Sequence, residues 1–365
     1  MKRLWLFNPE NDIALANGSV NFTAPFAALV LRRSGEILPL WIAEDGDAVM
    51  CNGINARWLT DIQDKFNIEV ELWDYSYDYV PTPWGWSKPV RREFEMSGFS
   101  LTSLPDDAYL DRLRNLSHRR SSVFVAEKLR CMLDFPIWSS AIEVNNVVLL
   151  KNIISDGYQY VLKSPWSSSG RGITFTIEKN RQNVLRQAEG TIRRQGSIMV
   201  ERVARRVADF AMLFYYKPIE CNFYGYSLFM ADERGAYSGN VVAPQELILE
   251  RLGKYVDLVK LQAVEKALPV VLREFLGNDY SGPIGVDMLI DESGMLHPVV
   301  ELNMRWTMGF VSLRLARLVE GEARFEIIPG DYTSQCNPII KHNKLQSGVL
   351  ALNPPGSKFT FVLRK

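Results

Sequence analysis

The chain has 365 residues, 47% of them apolar and 23% charged, and its 42 basic and 42 acidic side chains leave no formal net charge. That length exceeds one ordinary hydrophobic core and points to two or three domains. The composition excludes a disordered chain, and zero net charge gives no global field to hold a polyanion, so nucleic acid is not an expected partner.

The first hundred residues alternate strand and helix patterns. RLWLF (3–7) reads as a buried strand, 24–35 as a helix ending at Gly35, 37–43 as a strand, 56–66 as an amphipathic helix and 69–75 as a strand. Together they predict an open α/β unit with parallel strands. The proline- and tryptophan-rich run 79–89 reads as a rigid loop. Helical patterns follow near 106–117, at 121–133 and at 142–154. Two β-rich runs, YQYVLKS (158–164) and GITFTIE (172–178), flank a serine–glycine loop. Beyond it come a helix (181–195), a strand (197–203), two antiparallel strand patterns (209–216 and 227–238) and a long helix (258–276). A hairpin pattern (282–306), a helix (311–319) and a β-rich tail complete the chain.

Cysteines 51, 131, 221 and 336 and histidines 118, 297 and 342 are scattered. No spacing suits a zinc site, so reduced thiols of a cytoplasmic protein are expected. The start of the sequence holds too short an apolar run for a signal-peptide core. No apolar run is long enough to span a bilayer, and no membrane partner is expected.

The loop in VLKSPWSSSGRGITF (161–175) has the small residues that let a backbone close over phosphates. Its N–H groups and serine hydroxyls can donate, and Lys163 can add a point charge. The order G-x-x-x-x-G-K-[ST] is absent, and no helix follows, which excludes a P-loop and a dinucleotide fingerprint. Alone, the segment reads as a plain hairpin turn ahead of a phosphate loop.

GVDMLIDESGMLHPVVELNMR (285–305) is more specific. A three-residue loop (292–294) favours glycine at its last position, and Gly294 is there. This loop pairs Asp291 with Met295 and Asp287 with Val299. Asp287, Glu301, Asn303 and Arg305 then share one face, with Asp287 and Glu301 on a diagonal of about 7–8 Å. Val286, Met288, Val300, Leu302 and Met304 turn to the other face. Two carboxylates and an amide are oxygen donors that suit Mg²⁺ and do not suit zinc.

A lysine-bearing strand, a small-residue hairpin loop, a strand ending in V-E and a late D…E-x-N-x-R hairpin, in that order, resemble the ATP-grasp superfamily over about 120–320. The resemblance implies an α/β (α+β) chain: an ATP-grasp fold with an amino-terminal open α/β pre-grasp domain (1–118), a small lobe with the phosphate loop (119–198) and a large lobe with the metal site and β-rich tail (199–365). It implies ATP as cosubstrate and Mg²⁺ as cation, with Mn²⁺ as the alternative. Lys128 and Lys163 would contact the nucleotide, and Ser167, Ser168, Ser169, Gly170, Arg171 and Gly172 would close over the triphosphate. Glu201 would lie near adenine or ribose, Val203 would offer backbone to the adenine edge, and Asp209 would add a polar contact. Asp287, Glu301 and Asn303 would be the metal ligands, and Arg305 would steady the transferred phosphoryl group.

The implied reaction joins a carboxylate to an amine or thiol through an acyl-phosphate, forming ADP. A small-molecule kinase and a non-catalytic nucleotide-binding protein on the same scaffold are the rival readings. The partners are small molecules. For the substrate, Asn8, Glu10, Asn11 and Asp12 follow the first strand at its carboxyl end, where open α/β sheets place ligands. The same residues also suit a capped helix start. PWGW (83–86) and LSHRR (116–120) are further segments that could line the cleft, and His118 is expected to be structural.

Overall fold

The computed structural model describes residues 1–138, 141–167, 172–176, 180–231 and 237–365. Strands β1 (Arg3–Leu6), β2 (Ala48–Val49), β3 (Glu71–Leu72) and β4 (Val80–Pro83) form a sheet in the order β3-β2-β1-β4, parallel at every pair. Helices α1 (Asn11–Asn17), α2 (Phe26–Ser34) and α3 (Ala56–Phe66) lie in the connections. Asn55 starts α3 by accepting the Trp58 N–H, satisfying a donor the helix cannot. Successive β1 side chains part to opposite faces: Leu4 and Leu6 pack with Phe94 of α4 (Lys88–Met96), while Trp5 packs into a second core.

The expected strand over 37–43 is instead a 3₁₀ turn, Leu38–Trp41. Pro39 brings no N–H to a strand ladder, and the run is apolar because all four side chains are buried. Trp41 Nε1 donates to the Leu352 carbonyl at 2.8 Å. The expected strand over 69–75 contracts to the two residues of β3.

After α5 (Asp107–Leu116) and α6 (Arg120–Met132) comes a small antiparallel sheet. Its strands β5 (Ile142–Val144), β6 (Tyr160–Lys163), β7 (Ile173–Phe175) and β8 (Ile198–Arg202) run in the order β5-β8-β6-β7. Helices α7 (Val147–Ile153) and α8 (Arg181–Gln195) share a core with it around Leu150, Leu162, Val184 and Val200. The single helix expected over 142–154 is thus a strand and a short helix. Asn146 divides them, accepting the N–H groups of Val148 and Leu149 as an N-cap.

The large sheet contains β9 (Arg206–Lys217), β10 (Glu220–Ala231), β11 (Tyr237–Val242), β12 (Gly282–Asp291), β13 (Leu296–Asn303) and β14 (Ala323–Pro329). A separate ribbon, β15 (Ile339–Lys341) and β16 (Lys344–Ser347), precedes the last two strands, β17 (Val349–Ala351) and β18 (Phe359–Arg364). The order is β13-β12-β9-β10-β11-β14-β18-β17. Phe210, Met212, Phe214 and Tyr216 alternate onto one face, in a core shared with α9 (Gln245–Leu252) and α10 (Leu258–Leu276). Fully burying each such side chain contributes about 1.5–3 kcal/mol. Phe325 and Phe361 join Trp5, Phe7 and Trp41, so the tail strands and the amino-terminal sheet share one core. The last helix, α11, starts at Met308 and ends at Leu315, continuing as a 3₁₀ turn.

The β12–β13 turn has Gly294 at φ 76°, and Asp291 N–H donates to the Met295 carbonyl at 3.1 Å. Ile290 then pairs with Leu296 and Leu289 with His297. A bulge between Asp287 and Leu289 shifts the register, so Asp287 faces Glu301 and not Val299. The two carboxylates are therefore direct cross-strand neighbours, with β-carbons about 4.5–5.5 Å apart, closer than the expected diagonal.

Candidate active site

Glu301 on β13, Asp287 on β12, Ala211 on β9 and Ser227 on β10 form one row across the sheet. Directly paired residues share a face. Two acids stand at one end of the row and two small side chains at the other, and over them lies a cleft of about 560 Å³. That volume is in the range of small-molecule sites. Val161, Ile173, Phe175 and Val203 line it on the small-sheet side, and Glu10, Ile13, Leu31 and Trp84 line it on the amino-terminal side.

Cations converge on the acids. Arg119, just before α6, donates to Glu301 Oε2 at 2.8 Å, to the Ser164 carbonyl at 2.8 Å and to Ser167 Oγ at 2.7 Å. Lys163 Nζ meets Glu201 Oε2 at 2.7 Å. Arg305 grips both Asp12 oxygens, at 3.1, 3.0 and 2.7 Å, and reaches Asn303 Oδ1 at 2.9 Å. Burial works against the Arg305 charge, but Asp12, Glu301 and Asp287 outweigh it and raise its pKa.

Burial, and then the Glu301 charge, pushes the Asp287 carboxyl up to about 7. Positive charge placed between the two acids would relieve that penalty. Among the described residues no group of three His, Cys, Asp or Glu could hold a metal. Two carboxylates with one amide fit Mg²⁺, which keeps several waters and takes phosphate oxygens for its remaining positions. They do not fit zinc.

Of the residues singled out in the sequence, Lys163, Glu201, Val203, Asp209, Asp287, Glu301, Asn303 and Arg305 line one cleft. Val203 donates its N–H to the Gln159 carbonyl at 3.0 Å. Asp209 Oδ2 lies 3.4 Å from Arg206 Nε, and burial raises its pKa. Ser167 is clamped by Arg119, and the Gly172 carbonyl accepts the Ser164 N–H at 2.9 Å. Ser168, Ser169, Gly170 and Arg171 lie outside the described residues.

Three expectations are corrected. Lys128 does not line the cleft: it sits mid-α6, half-exposed, and pairs with Glu274 of α10. The helix begins eight residues earlier, and its buried cation at the cleft is Arg119. Asn8 is fully buried and its amide is used within the fold, donating to the Gly85 carbonyl at 2.9 Å and accepting the Gly85 N–H at 3.2 Å. Asn11 is likewise buried; with its nitrogen facing them, it donates to the Gly85 and Trp86 carbonyls at 3.0 and 3.1 Å. Both hold the 83–86 loop. Of the four substrate candidates Asn8, Glu10, Asn11 and Asp12, only Glu10 lines the cleft.

His118 Nδ1 accepts the Arg120 N–H at 3.0 Å, so the neutral ring carries its proton on Nε2. Ser197 Oγ is 3.4 Å from that nitrogen and donates to Glu143 at 2.7 Å. A protonated Nε2 cannot act as base toward Ser197, and the cluster is not a nucleophilic triad. Burial, together with the cations Arg120, Arg114 and Arg119, pushes the His118 pKa down to about 4.

No protein-family model matches this sequence, and no curated protein matches it. Solved structures match the fold. The ADP complex of the N5-carboxyaminoimidazole ribonucleotide synthetase purK aligns at a TM-score of 0.51 and 13% identity, over 100% of this chain and 91% of that one. The biotin carboxylase domain of Hydrogenobacter thermophilus 2-oxoglutarate carboxylase, in complex with MgADP, ADP and bicarbonate, aligns at 0.52 and 13%, over 100% and 86%. The Campylobacter jejuni biotin carboxylase aligns at 0.52 and 13%, over 100% and 87%. The chain has the ATP-grasp fold. At these identities the likeness is one of architecture, and the site residues of this ATP-grasp chain rest on their own geometry. Among its described residues no helix is long and apolar enough to cross a membrane.

Proposed function

We propose that this chain is an ATP- and Mg²⁺-dependent ligase that joins a carboxylate to an amine, or to a thiol, through an acyl-phosphate and releases ADP. Its working parts are an amino-terminal unit (1–118), a small lobe (119–198) and a large lobe (199–365). The observation that carries the reading is the direct opposition of Asp287 and Glu301, with Arg119, Lys163 and Arg305 around them in one cleft. Phosphoryl transfer asks the protein mainly for positioning and charge neutralisation, and this constellation supplies both.

The small-sheet side, with Val161, Ile173, Phe175 and the Val203 carbonyl, takes the base. Lys163 and Arg119 face the phosphates. Mg²⁺, held by Asp287, Glu301 and the Asn303 amide oxygen, would offset charge on the phosphate oxygens. Arg305 keeps its charge and adds a donor where the γ-phosphoryl meets the acid. A substrate carboxylate oxygen attacks the γ-phosphorus as the β–γ bridging P–O bond breaks, releasing ADP. The nucleophile then attacks the acyl carbon, the acyl C–O bond breaks, and phosphate leaves as the amine proton passes to solvent.

Calorimetry with a non-hydrolysable ATP analogue tests the site, with and without Mg²⁺, on wild type, Lys163→Ala and Glu301→Ala. Magnesium-dependent binding, weakened tenfold or more by each change, is expected. Binding that ignores both changes and the cation would remove the basis for a ligase.

A further inference from the structure

Beyond the acids, the row continues over Ala211 and Ser227, whose small side chains leave a trough on the sheet. Ile13, Leu31, Trp84, Phe229, Met308 and Ile327 line this end of the cleft. The polar groups among them are already engaged with one another. Asn240 Nδ2 donates to Ser227 Oγ at 2.8 Å, and the Tyr237 hydroxyl donates to Asn240 Oδ1. What this end offers a ligand is mainly apolar surface.

Two charged features interrupt it. One is Arg305 beside the start of α11, where no side chain caps the helix; the Phe310 N–H is taken by the Thr307 carbonyl at 3.1 Å, and the N–H groups before it are the ones a carboxylate would meet. Gly309 keeps this helix end close to the sheet; a β-carbon there would lie 3.0 Å from Ser227 Oγ. The other is Glu10. Its side chain is buried, Oε1 meets Arg32 at 2.8 Å, and Oε2 has no partner among the described residues. Arg32 also pairs with Glu93, so one guanidinium answers two carboxylates and a negative charge is left over. Glu10 stands two residues before Asp12, which holds Arg305.

We infer that the acid activated here is an amino acid with an aliphatic or aromatic side chain, its carboxylate at Arg305 and the α11 start, its ammonium at Glu10 and its side chain in the apolar trough. The inference rests on the ligase reading. A buried carboxylate with an unmet oxygen is costly, and an ammonium supplies the donors and the charge that Glu10 lacks. Burial raises the Glu10 pKa despite Arg32, which is the signature of that unmet demand.

Hydroxylamine trapping tests this on the full chain with ATP and Mg²⁺, because it reads acyl-phosphate formation without knowledge of the natural nucleophile. The acids are leucine, phenylalanine, their des-amino counterparts 4-methylpentanoate and 3-phenylpropanoate, aspartate and serine. The expected result is hydroxamate and ADP from leucine or phenylalanine, with kcat/KM at least tenfold above the des-amino acids and above aspartate and serine. Glu10→Gln should collapse the preference for leucine over 4-methylpentanoate to below threefold, with affinity for the ATP analogue as the fold control. Des-amino acids used as well as the amino acids, a preference unmoved in Glu10→Gln, or hydroxamate from aspartate or serine alone would overturn the inference while leaving the ligase reading intact. No hydroxamate from any of these acids, despite magnesium-dependent ATP binding, would overturn the inference, and the ligase reading would still stand or fall on the calorimetry above.

Discussion

Arg119 offers the sharpest test of how the cleft is held. Its side chain is only 5% exposed, and the bond to Glu301 spans the distance from α6 to the large sheet. It also fixes the Ser164 carbonyl and Ser167. Arg119→Met keeps the apolar stem and deletes the charge. Glu301 then stands beside Asp287 without the guanidinium paired to it, and breaking a buried pair on one side costs about 3–5 kcal/mol. Glu301 is 22% exposed, so solvent screening places the expected loss at the lower end, about 3 kcal/mol. Glu301→Gln alone strands Arg119 and should cost a similar amount. Because each single change leaves the other charge unpaired, the double variant should lose less than the sum, with a coupling of about 2 kcal/mol. Urea unfolding of the four proteins measures this cycle. Mg²⁺ at millimolar levels should stabilise Arg119→Met more than Arg119→Met with Glu301→Gln, since only the former keeps both carboxylates. A coupling below about 0.5 kcal/mol, or equal magnesium effects, would refute the account of Arg119 as the counter-charge of Glu301 and Asp287.

Three further outcomes follow from the same geometry. Lys128→Ala should change nucleotide affinity by less than twofold in calorimetry, because this lysine sits on the surface with Glu274. Asn8→Ala should lower stability by about 2 kcal/mol in urea unfolding, from two lost buried hydrogen bonds, while the KM for ATP stays within twofold. The His118 ring has a folded pKa of about 4 against an ordinary 6.5, so the unfolded chain binds more protons between these values. Its contribution is complete above pH 6.5 and is lost as pH falls toward 4. Between pH 6 and 5, wild type should therefore lose about 1 kcal/mol more than His118→Phe. Parallel stability profiles of the two proteins would refute it.

The fold was legible where the pattern of side chains had one explanation. The 19-residue helix Leu258–Leu276 and the helix Arg181–Gln195 match their sequence periods residue for residue. Leu38–Trp41 misled because an apolar run reads the same whether it is a buried strand or a buried turn, and only Pro39 argued for the turn. The 142–154 run misled because its apolar spacing fits a helix, while Asn146 marks a helix start inside it. In both places a single residue carried the deciding information and the longer pattern outweighed it.

The site was legible as a set of residues and less so as geometry. Alternation alone puts Asp287, Glu301, Asn303 and Arg305 on one face, but one bulge near Met288 turns a diagonal pair into an opposed one. The extra residues lie on β13 between His297 and Glu301, where Pro298 brings no N–H to the ladder, and that proline is the one sequence mark of the bulge. Arg119 and Arg120 are adjacent and chemically identical, and only the start of α6 decides which one is buried against Glu301. Asn8, Glu10 and Asn11 look alike as candidates in the sequence. Their separation depends on the 83–86 loop, whose Gly85 backbone takes up the two asparagine amides and leaves the glutamate to the cleft. A polar residue near a ligand site is therefore informative only after the local backbone has been satisfied. Applied to FNPEND, that accounting selects Glu10, which lines the cleft and has an oxygen without a partner among the described residues, and Asp12, which holds Arg305.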